Sequence, residues 1–237
     1  MLKKGERGDG MDKLAVLRQY FGFPAFRAGQ QTLIDAVLSG RDALGVMPTG
    51  GGKSLCYELP ALLLPGMTLV VSPLISLMKD QVMALRNAGI PAGCINSSMS
   101  LDELRETYRD ARYGAYKLLY VAPERLLTDG FCSLAQELEI PLVAVDEAHC
   151  ISQWGQDFRP SYLKIVEFLQ RLPRRPAVAA FTATATAQVR ADIIRILQLH
   201  EPETVVTGFD RPNLRFEVLR PKDKRTALLQ LLSERRG

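Results

Sequence analysis

Ala43-Leu-Gly-Val-Met-Pro-Thr-Gly-Gly-Gly-Lys-Ser54 runs from a short apolar, β-rich segment into three glycines and then a lysine and a serine. The residues after Ser54 are compatible with a helix. Strand, glycine loop and helix in that order form a phosphate-binding loop. Glycines at 50, 51 and 52 let backbone N–H groups turn inward around phosphate oxygens, where a Cβ would obstruct them. The positive end of the following helix faces the same anion. In this reading Thr49, Gly50, Gly51, Gly52, Lys53 and Ser54 hold a nucleotide, with Lys53 on its β- and γ-phosphates and the Ser54 hydroxyl on Mg²⁺. The strict pattern places a glycine where Met47 stands. A plain glycine-rich turn, however, has no need of the Lys-Ser pair.

A second segment supplies the partner. Pro141-Leu-Val-Ala-Val-Asp146-Glu147-Ala-His149 is an apolar strand ending in two acids, and α/β sheets present ligand contacts at the carboxyl ends of their strands. Alone, the two acids read equally well as a solvated turn. Joined to Lys53 and Ser54 they point to nucleotide hydrolysis, with Asp146 holding Mg²⁺ and Glu147 orienting or deprotonating the attacking water.

Outward from these segments the chain alternates. Candidate strands are Ala43–Met47, Met67–Ser72, Ala92–Asn96, Lys117–Val121, Pro141–Val145, Val178–Thr182 and Thr204–Thr207. Between them lie helical patterns with readable ends: a capping box at Ser100-Leu-Asp-Glu103, and prolines at 73, 123 and 160 at first helical positions. Val189, Ile193, Ile196 and Leu197 form an apolar stripe at helical spacing. Strands apolar on both faces require helices on both sides, so the expected fold is α/β, a doubly wound, mostly parallel sheet of the P-loop NTPase kind.

Composition agrees and excludes alternatives. In 237 residues, 47% hydrophobic and 24% charged residues describe an ordinary folded domain rather than a disordered chain. No apolar run approaches the roughly 20 residues of a membrane span; Leu59–Val71 is broken by Pro60, Pro65 and Gly66. Four scattered cysteines with no Cys-x-x-Cys pair argue against a structural metal and a disulfide framework, and fit a reducing compartment. The net charge of +4 is concentrated at one end: residues 211–237 hold eight basic residues against three acids, so the rest is close to neutral. Bulk charge therefore makes no case for nucleic acid; motifs must make it.

They do. Asp146-Glu-Ala-His149, Thr182-Ala-Thr184 after a β-run, and Ser72-Pro-Leu-Ile-Ser-Leu-Met-Lys-Asp-Gln-Val82 together resemble the first motor domain of superfamily 2 helicases. Met47–Ser54 and Asp146-Glu-Ala-His-Cys-Ile-Ser-Gln-Trp-Gly-Gln-Asp-Phe-Arg-Pro160 narrow the resemblance to the RecQ family of DNA helicases, from about Leu17 to Asn213. The resemblance implies a RecA-like fold, and its phosphate loop does not demand the glycine missing at 47.

It implies further roles. Tyr20–Gln30 looks like the family's adenine-reading segment, with Gln30 on the adenine edge and Phe23 and Arg27 sandwiching the ring. Without the resemblance, Phe21, Phe23 and Phe26 read as core residues. Ile151–Arg159 resembles the aromatic-rich loop that couples single-stranded DNA to the ATP site. Trp154 is the only tryptophan, and stacking a base on an exposed aromatic contributes roughly 1–3 kcal/mol. Gln153, Phe158 and Arg159 share that loop; Trp154 and Phe158 read alternatively as loop anchors, and Arg159 as a phosphate ligand or a bridge toward Glu147. Ser72 and Arg125 resemble segments that hold the DNA backbone, and an ordinary N-cap accounts for Ser72 nearly as well. Thr182 and Thr184 look like the link from hydrolysis to strand separation, and His149 like a relay between ATP and DNA sites.

The expected organisation is a disordered leader over 1–10, a RecA-like ATP-binding domain over 11–210, and the start of a truncated second motor domain or a linker over 211–237. The tail is expected to hold a strand, Leu214–Leu219, and a short amphipathic helix, Arg225–Leu232; packing back on the domain is the alternative. The resemblance implies ATP and Mg²⁺ as cofactors, single-stranded and partly duplex DNA and a second motor domain as partners, no membrane, and a cytoplasmic, nucleoid-associated location in a bacterium or a nuclear one in a eukaryote. Two other functions remain on the table: a chain that binds ATP or DNA without turnover, and an RNA-acting relative, which the Ser-Gln-Trp-Gly loop disfavours.

Overall fold

The computed structural model describes residues 12–155, 157–208 and 217–234. Seven strands form one sheet: β1 (Ala43–Val46), β2 (Thr68–Val71), β3 (Ala92–Ile95), β4 (Leu118–Val121), β5 (Leu142–Val145), β6 (Ala177–Thr182) and β7 (Glu203–Val206). Each lies within two residues of its expected bounds. Their order is β3-β4-β2-β5-β6-β1-β7, and every pairing is parallel rather than merely most of them. Nine α-helices occur among the described residues: α1 (Lys13–Phe21), α2 (Gln30–Leu38), α3 (Leu55–Leu63), α4 (Ile75–Asn87), α5 (Leu101–Arg112), α6 (Asp129–Glu137), α7 (Lys164–Arg171), α8 (Ala187–Ile196) and α9 (Lys224–Glu234).

The period of two along each strand splits the core into two layers. Val143 and Val145 of β5 face one way, with Phe131 of α6, Ile165 and Phe168 of α7, and Val189 and Ile193 of α8. Leu142 and Ala144 face the other way, with Leu33 and Val37 of α2, Tyr57 and Ala61 of α3, and Met78 and Val82 of α4. That is the doubly wound arrangement. The α8 stripe packs as its spacing requires, with Val189, Ile193 and Leu197 all buried. Truncating a core ring such as Phe168, fully buried against Phe131, costs about 3–5 kcal/mol. The buried Asp42 carboxylate, before β1, is paired: it accepts from Arg175 and from the backbone N–H of Val178 and His200.

The capping box of α5 is present, with Ser100 Oγ accepting from Glu103 N and Glu103 Oε2 from Ser100 N. Pro123 and Pro160 open short 3₁₀ turns at their first positions, but Pro73 precedes the N-cap of α4, which is Leu74. In the tail, α9 forms over the expected helix; none of its residues is buried, and Leu228, Leu229 and Leu232 are exposed. Glu217–Leu219 is not strand. The expected leader, Leu214–Phe216 of the expected tail strand, Arg211-Pro212-Asn213, Gln156 of the aromatic-rich loop and residues 235–237 lie outside the described residues.

The topology places the site. From β1 the chain crosses to β2, and β5 and β6 later fill the gap between them. The loop after β1 and the acids after β5 therefore meet across the end of β6, at the switch point where such sheets bind ligands.

Candidate nucleotide site and its link to the aromatic loop

The loop of residues 47–54 turns between β1 and α3, as its glycines require. Gly52 has φ +80° and sits so close to Gln30 that a Cβ would lie 2.3 Å from Nε2. The backbone of Met47 donates to Thr182 O (3.0 Å), stitching the loop to the end of β6. Ser54 is the N-cap of α3, but its hydroxyl makes no capping bond, while the N–H groups of Cys56 and Tyr57 donate back to Lys53 O and Ser54 O.

Across that cleft stand the acids. Asp146 is 4% exposed, and its carboxyl is pushed up to about 6, first by burial and then by the neighbouring Glu147 carboxylate. Glu147 adopts φ +48°, a left-handed conformation that costs a residue with a Cβ roughly 1–2 kcal/mol. From there its carboxylate meets Lys53 Nζ at 3.7 Å and His149 Nδ1 at 3.3 Å. It is held below its ordinary value by His149 first and by Lys53. His149 is pushed up to about 9, by the Cys150 thiol beside Nε2 and by Glu147. As an imidazolium its Nδ1 donates to Thr182 Oγ1 (2.8 Å), which leaves that hydroxyl to donate to Thr184 O (3.1 Å). Lys53, Glu147, His149, Thr182 and Thr184 thus form one chain of polar contacts.

The donor set fits a hard divalent cation. A carboxylate that is expensive to ionise alone lines the same cleft as the Ser54 hydroxyl, and both are oxygen donors of the kind Mg²⁺ takes.

The cleft has a volume of about 430 Å³ and is lined by the loop, Asp146, Glu147, Phe23, Arg27 and Gln30, a size suited to a small ligand. Here the geometry refines the expectations. Gln30 is buried, with Oε1 accepting from Arg27 N (2.8 Å) and Nε2 donating to Gly52 O (3.1 Å). It braces the phosphate loop, and a second Nε2 hydrogen remains for a ligand. Phe23 is 45% exposed rather than core, and the Arg27 guanidinium lies 5.9 Å above its ring while also donating to Gly50 O. A base between them needs two contact layers of about 3.5 Å each, so the pair must part to sandwich one.

The other expected residues fall on a different surface. Trp154 is 75% exposed and Gln153 and Thr184 are exposed, while Phe158 is half-buried. Trp154 lines a cleft of about 320 Å³ with His149 and Thr184. The Arg159 guanidinium binds Asp157 and donates to Pro73 O (3.1 Å), so it turns away from Glu147. Arg125 donates to Asn96 O (3.2 Å). Ser72 is neither an N-cap nor a surface residue: it is 1% exposed, its hydroxyl has no hydrogen-bond partner, and α4 starts at Ile75. Pro73 occupies the turn that a capping serine would use.

Several contributors carried no local signal. Tyr162 OH donates to Asp146 O (2.8 Å), and Tyr120 OH to the buried Glu58 carboxyl beneath the cleft (3.4 Å). Ser152 Oγ donates to Asp192 Oδ2 of α8 (2.7 Å). Only Glu58 left a trace, an acid within an apolar helical run.

Comparison with known proteins follows the same lines. The DEAD/DEAH box helicase family model matches residues 27–193. The chain is 50% identical over 211 residues to the ATP-dependent DNA helicase RecQ of Bacillus subtilis (strain 168), covering 89% of this chain and 36% of that protein. It is 48% identical over 206 residues to the RecQ helicase of Pasteurella multocida (strain Pm70), covering 87% and 32%. The chain thus spans about a third of the length of these relatives. Among solved structures, the DUF1998 helicase MrfA bound to DNA superposes with a TM-score of 0.64 at 16% identity, over 86% of this chain and 30% of that one; this supports the RecA-like α/β fold. The chain belongs to the DEAD/DEAH box helicase family, as a first motor domain of the RecQ kind.

Proposed function

We propose that this chain is the nucleotide-binding motor domain of an ATP-dependent DNA helicase that moves 3′ to 5′, coupling ATP hydrolysis to movement on single-stranded DNA and unwinding in DNA repair and recombination. The observation that carries the reading is the convergence of Lys53 and Glu147 at 3.7 Å in a cleft floored by Asp146. Gly50, Gly51, Gly52 and Thr49 cradle the phosphates, Lys53 offsets their charge, and Gln30, Phe23 and Arg27 receive the adenine. Mg²⁺, held by Ser54 and Asp146, neutralises charge on the phosphate oxygens when bound. Glu147, ionised by His149 and Lys53, accepts a hydrogen bond from the attacking water and orients it. Because Glu147 also touches His149, a change at the γ-phosphate reaches Thr182, Thr184 and the cleft beside Trp154. Single-stranded DNA stacks on Trp154, with Gln153, Phe158, Arg159 and Arg125 along its path and partly duplex DNA ahead. No helix among the described residues is long and apolar enough to cross a membrane; the location that fits is wherever chromosomal DNA lies, the nucleoid or the nucleus.

The test is a steady-state ATPase assay with and without a single-stranded DNA oligonucleotide. DNA stimulation that disappears in Trp154→Ala, with basal turnover retained, supports the motor reading. ATP binding with no turnover in either condition favours a binding module. Equal or stronger stimulation by RNA overturns the DNA assignment.

A further inference from the structure

We propose that Asp192 is the positioning residue for Trp154: through Ser152 it fixes the backbone that presents the indole and ties it to the helix after Thr182–Thr184. The inference rests on Trp154 being the DNA contact coupled to the nucleotide cleft, and it names what holds that contact in register.

An exposed aromatic serves as a coupled contact only if its backbone is held, because a ring on a floating loop orders at its own entropic cost. Trp154 is three-quarters exposed, so packing of the ring itself does not hold it. The backbone is held instead. Ser152 is fully buried, and its hydroxyl works in two directions: Oγ–H donates to Asp192 Oδ2 (2.7 Å), and a lone pair accepts the N–H of Trp154 (3.2 Å). Because Asp192 is a pure acceptor when ionised, it fixes the direction of the serine proton and thereby leaves the lone pair facing Trp154. Asp192 is itself 7% exposed, and its other oxygen takes Arg195 (2.9 Å). The turn is closed from behind by Gly155, whose N–H donates to Ser152 O (2.9 Å) and where a Cβ would lie 2.3 Å from His149 O.

The location gives the link its consequence. Asp192 sits on α8, whose N-cap Thr186 follows Thr184 by two residues. Ser152 ends the short turn that begins beside Glu147 and contains His149. The two arms leaving the His149–Thr182 contact, one through the backbone to Ser152 and the other through Thr184 into α8, are therefore rejoined by the Ser152–Asp192 bond. The result is a closed loop: displacement of Thr182 or His149 moves Trp154 as a body rather than being lost in an open end. Neither Ser152 nor Asp192 lines the nucleotide cleft.

The single tryptophan makes the test direct, since intrinsic fluorescence of the whole chain reports Trp154 alone. Three variants are compared with the wild type: Asp192→Ala, Asp192→Asn, which keeps an oxygen acceptor, and Ser152→Ala, which removes the hydroxyl and spares the Asp192–Arg195 pair. Without nucleotide, Trp154 anisotropy is expected to be high in wild type and Asp192→Asn and lower in the two alanine variants. Adding Mg-ATP is expected to shift Trp154 emission in the first pair and not in the second, while calorimetric nucleotide affinity stays within about tenfold, the scale of one allosteric link. Circular dichroism identifies a variant that has lost its fold; Ser152→Ala then decides. Alanine variants that keep both the anisotropy and the emission shift overturn the proposal, as does a folded Asp192→Asn that behaves like Asp192→Ala. Absence of nucleotide binding in the wild type strikes the nucleotide reading instead, and the anisotropy contrast still decides the role of Asp192.

Discussion

The nucleotide cleft and the aromatic loop are joined by one series of polar contacts and the short turn through His149, yet they are built on opposite terms. In the cleft, Asp146 and Gln30 are buried and Lys53 and Glu147 partly so; Lys53 pairs with Glu147, and Gln30 is held by Arg27 N and Gly52 O. In the loop, the Trp154 ring projects into solvent while the backbone beneath it is gripped. A cleft has to exclude water and hold charge in a fixed place, whereas a stacking platform must be open and sequence-tolerant. Losses in the cleft should therefore be large and electrostatic, and losses in the loop smaller and confined to DNA.

The largest expected effect concerns the open side of the cleft. Lys53, Ser54, Asp146 and Glu147 form one wall, and charge stabilisation of the transferring phosphoryl group calls for a second. Turnover by this chain is expected to fall at least about 10³-fold below that of a longer protein bearing both motor domains, the low end of an arginine-finger effect. ATPase rates of the two, measured side by side, check this. Rates within tenfold of each other would show that this chain already carries its finger or takes one from a second copy.

Lys53→Ala comes next. It removes the cation expected to meet bound phosphates and leaves Glu147 with His149 alone, and losing one partner of a buried charge pair such as lysine and phosphate costs roughly 2–5 kcal/mol. Calorimetry should show ATP affinity down by about thirtyfold or more, with single-stranded DNA affinity little changed. Equal losses of both ligands would erase the contrast between the two regions.

The smallest effect is one of stability. Burial beneath the cleft pushes Glu58 up from 4.5 to about 7. A carboxyl raised on folding contributes stability that is complete below pH 4.5 and lost as pH rises through 7. Glu58→Gln removes that loss, so the variant should gain on the wild type between pH 5 and pH 8, by at most about 3 kcal/mol. Asp146, raised to about 6 with the same sign, titrates in both proteins, and its charge is part of what raises Glu58. Urea unfolding at the two pH values is the measurement; a constant difference would place the Glu58 charge in contact with water.

Much of this was legible locally. All seven strands were readable because parallel strands buried on both faces are short apolar runs with polar ends, a pattern complete within each segment. The turn after β1 was readable because its backbone path demands glycine, with Gly50 and Gly52 at positive φ, and the acids after β5 because they end an apolar strand. For Ser72 only the alternative reading as an N-cap fails, for the converse reason: a serine before Pro-Leu looks like a cap, and whether it caps depends on where α4 begins.

The amino-acid sequence by itself determined which elements form, their parallel packing in two helical layers, and the residue types that meet phosphate. Only the tertiary structure decided the strand order that puts the loop after β1 opposite the acids after β5. It alone turned Gln30 toward Gly52, set Glu58 under the cleft and bound Ser152 to Asp192. The division follows from range: backbone propensity and burial pattern act within a few residues. A hydrogen bond spanning 40 positions exists only once the packing of the whole sheet has fixed both ends.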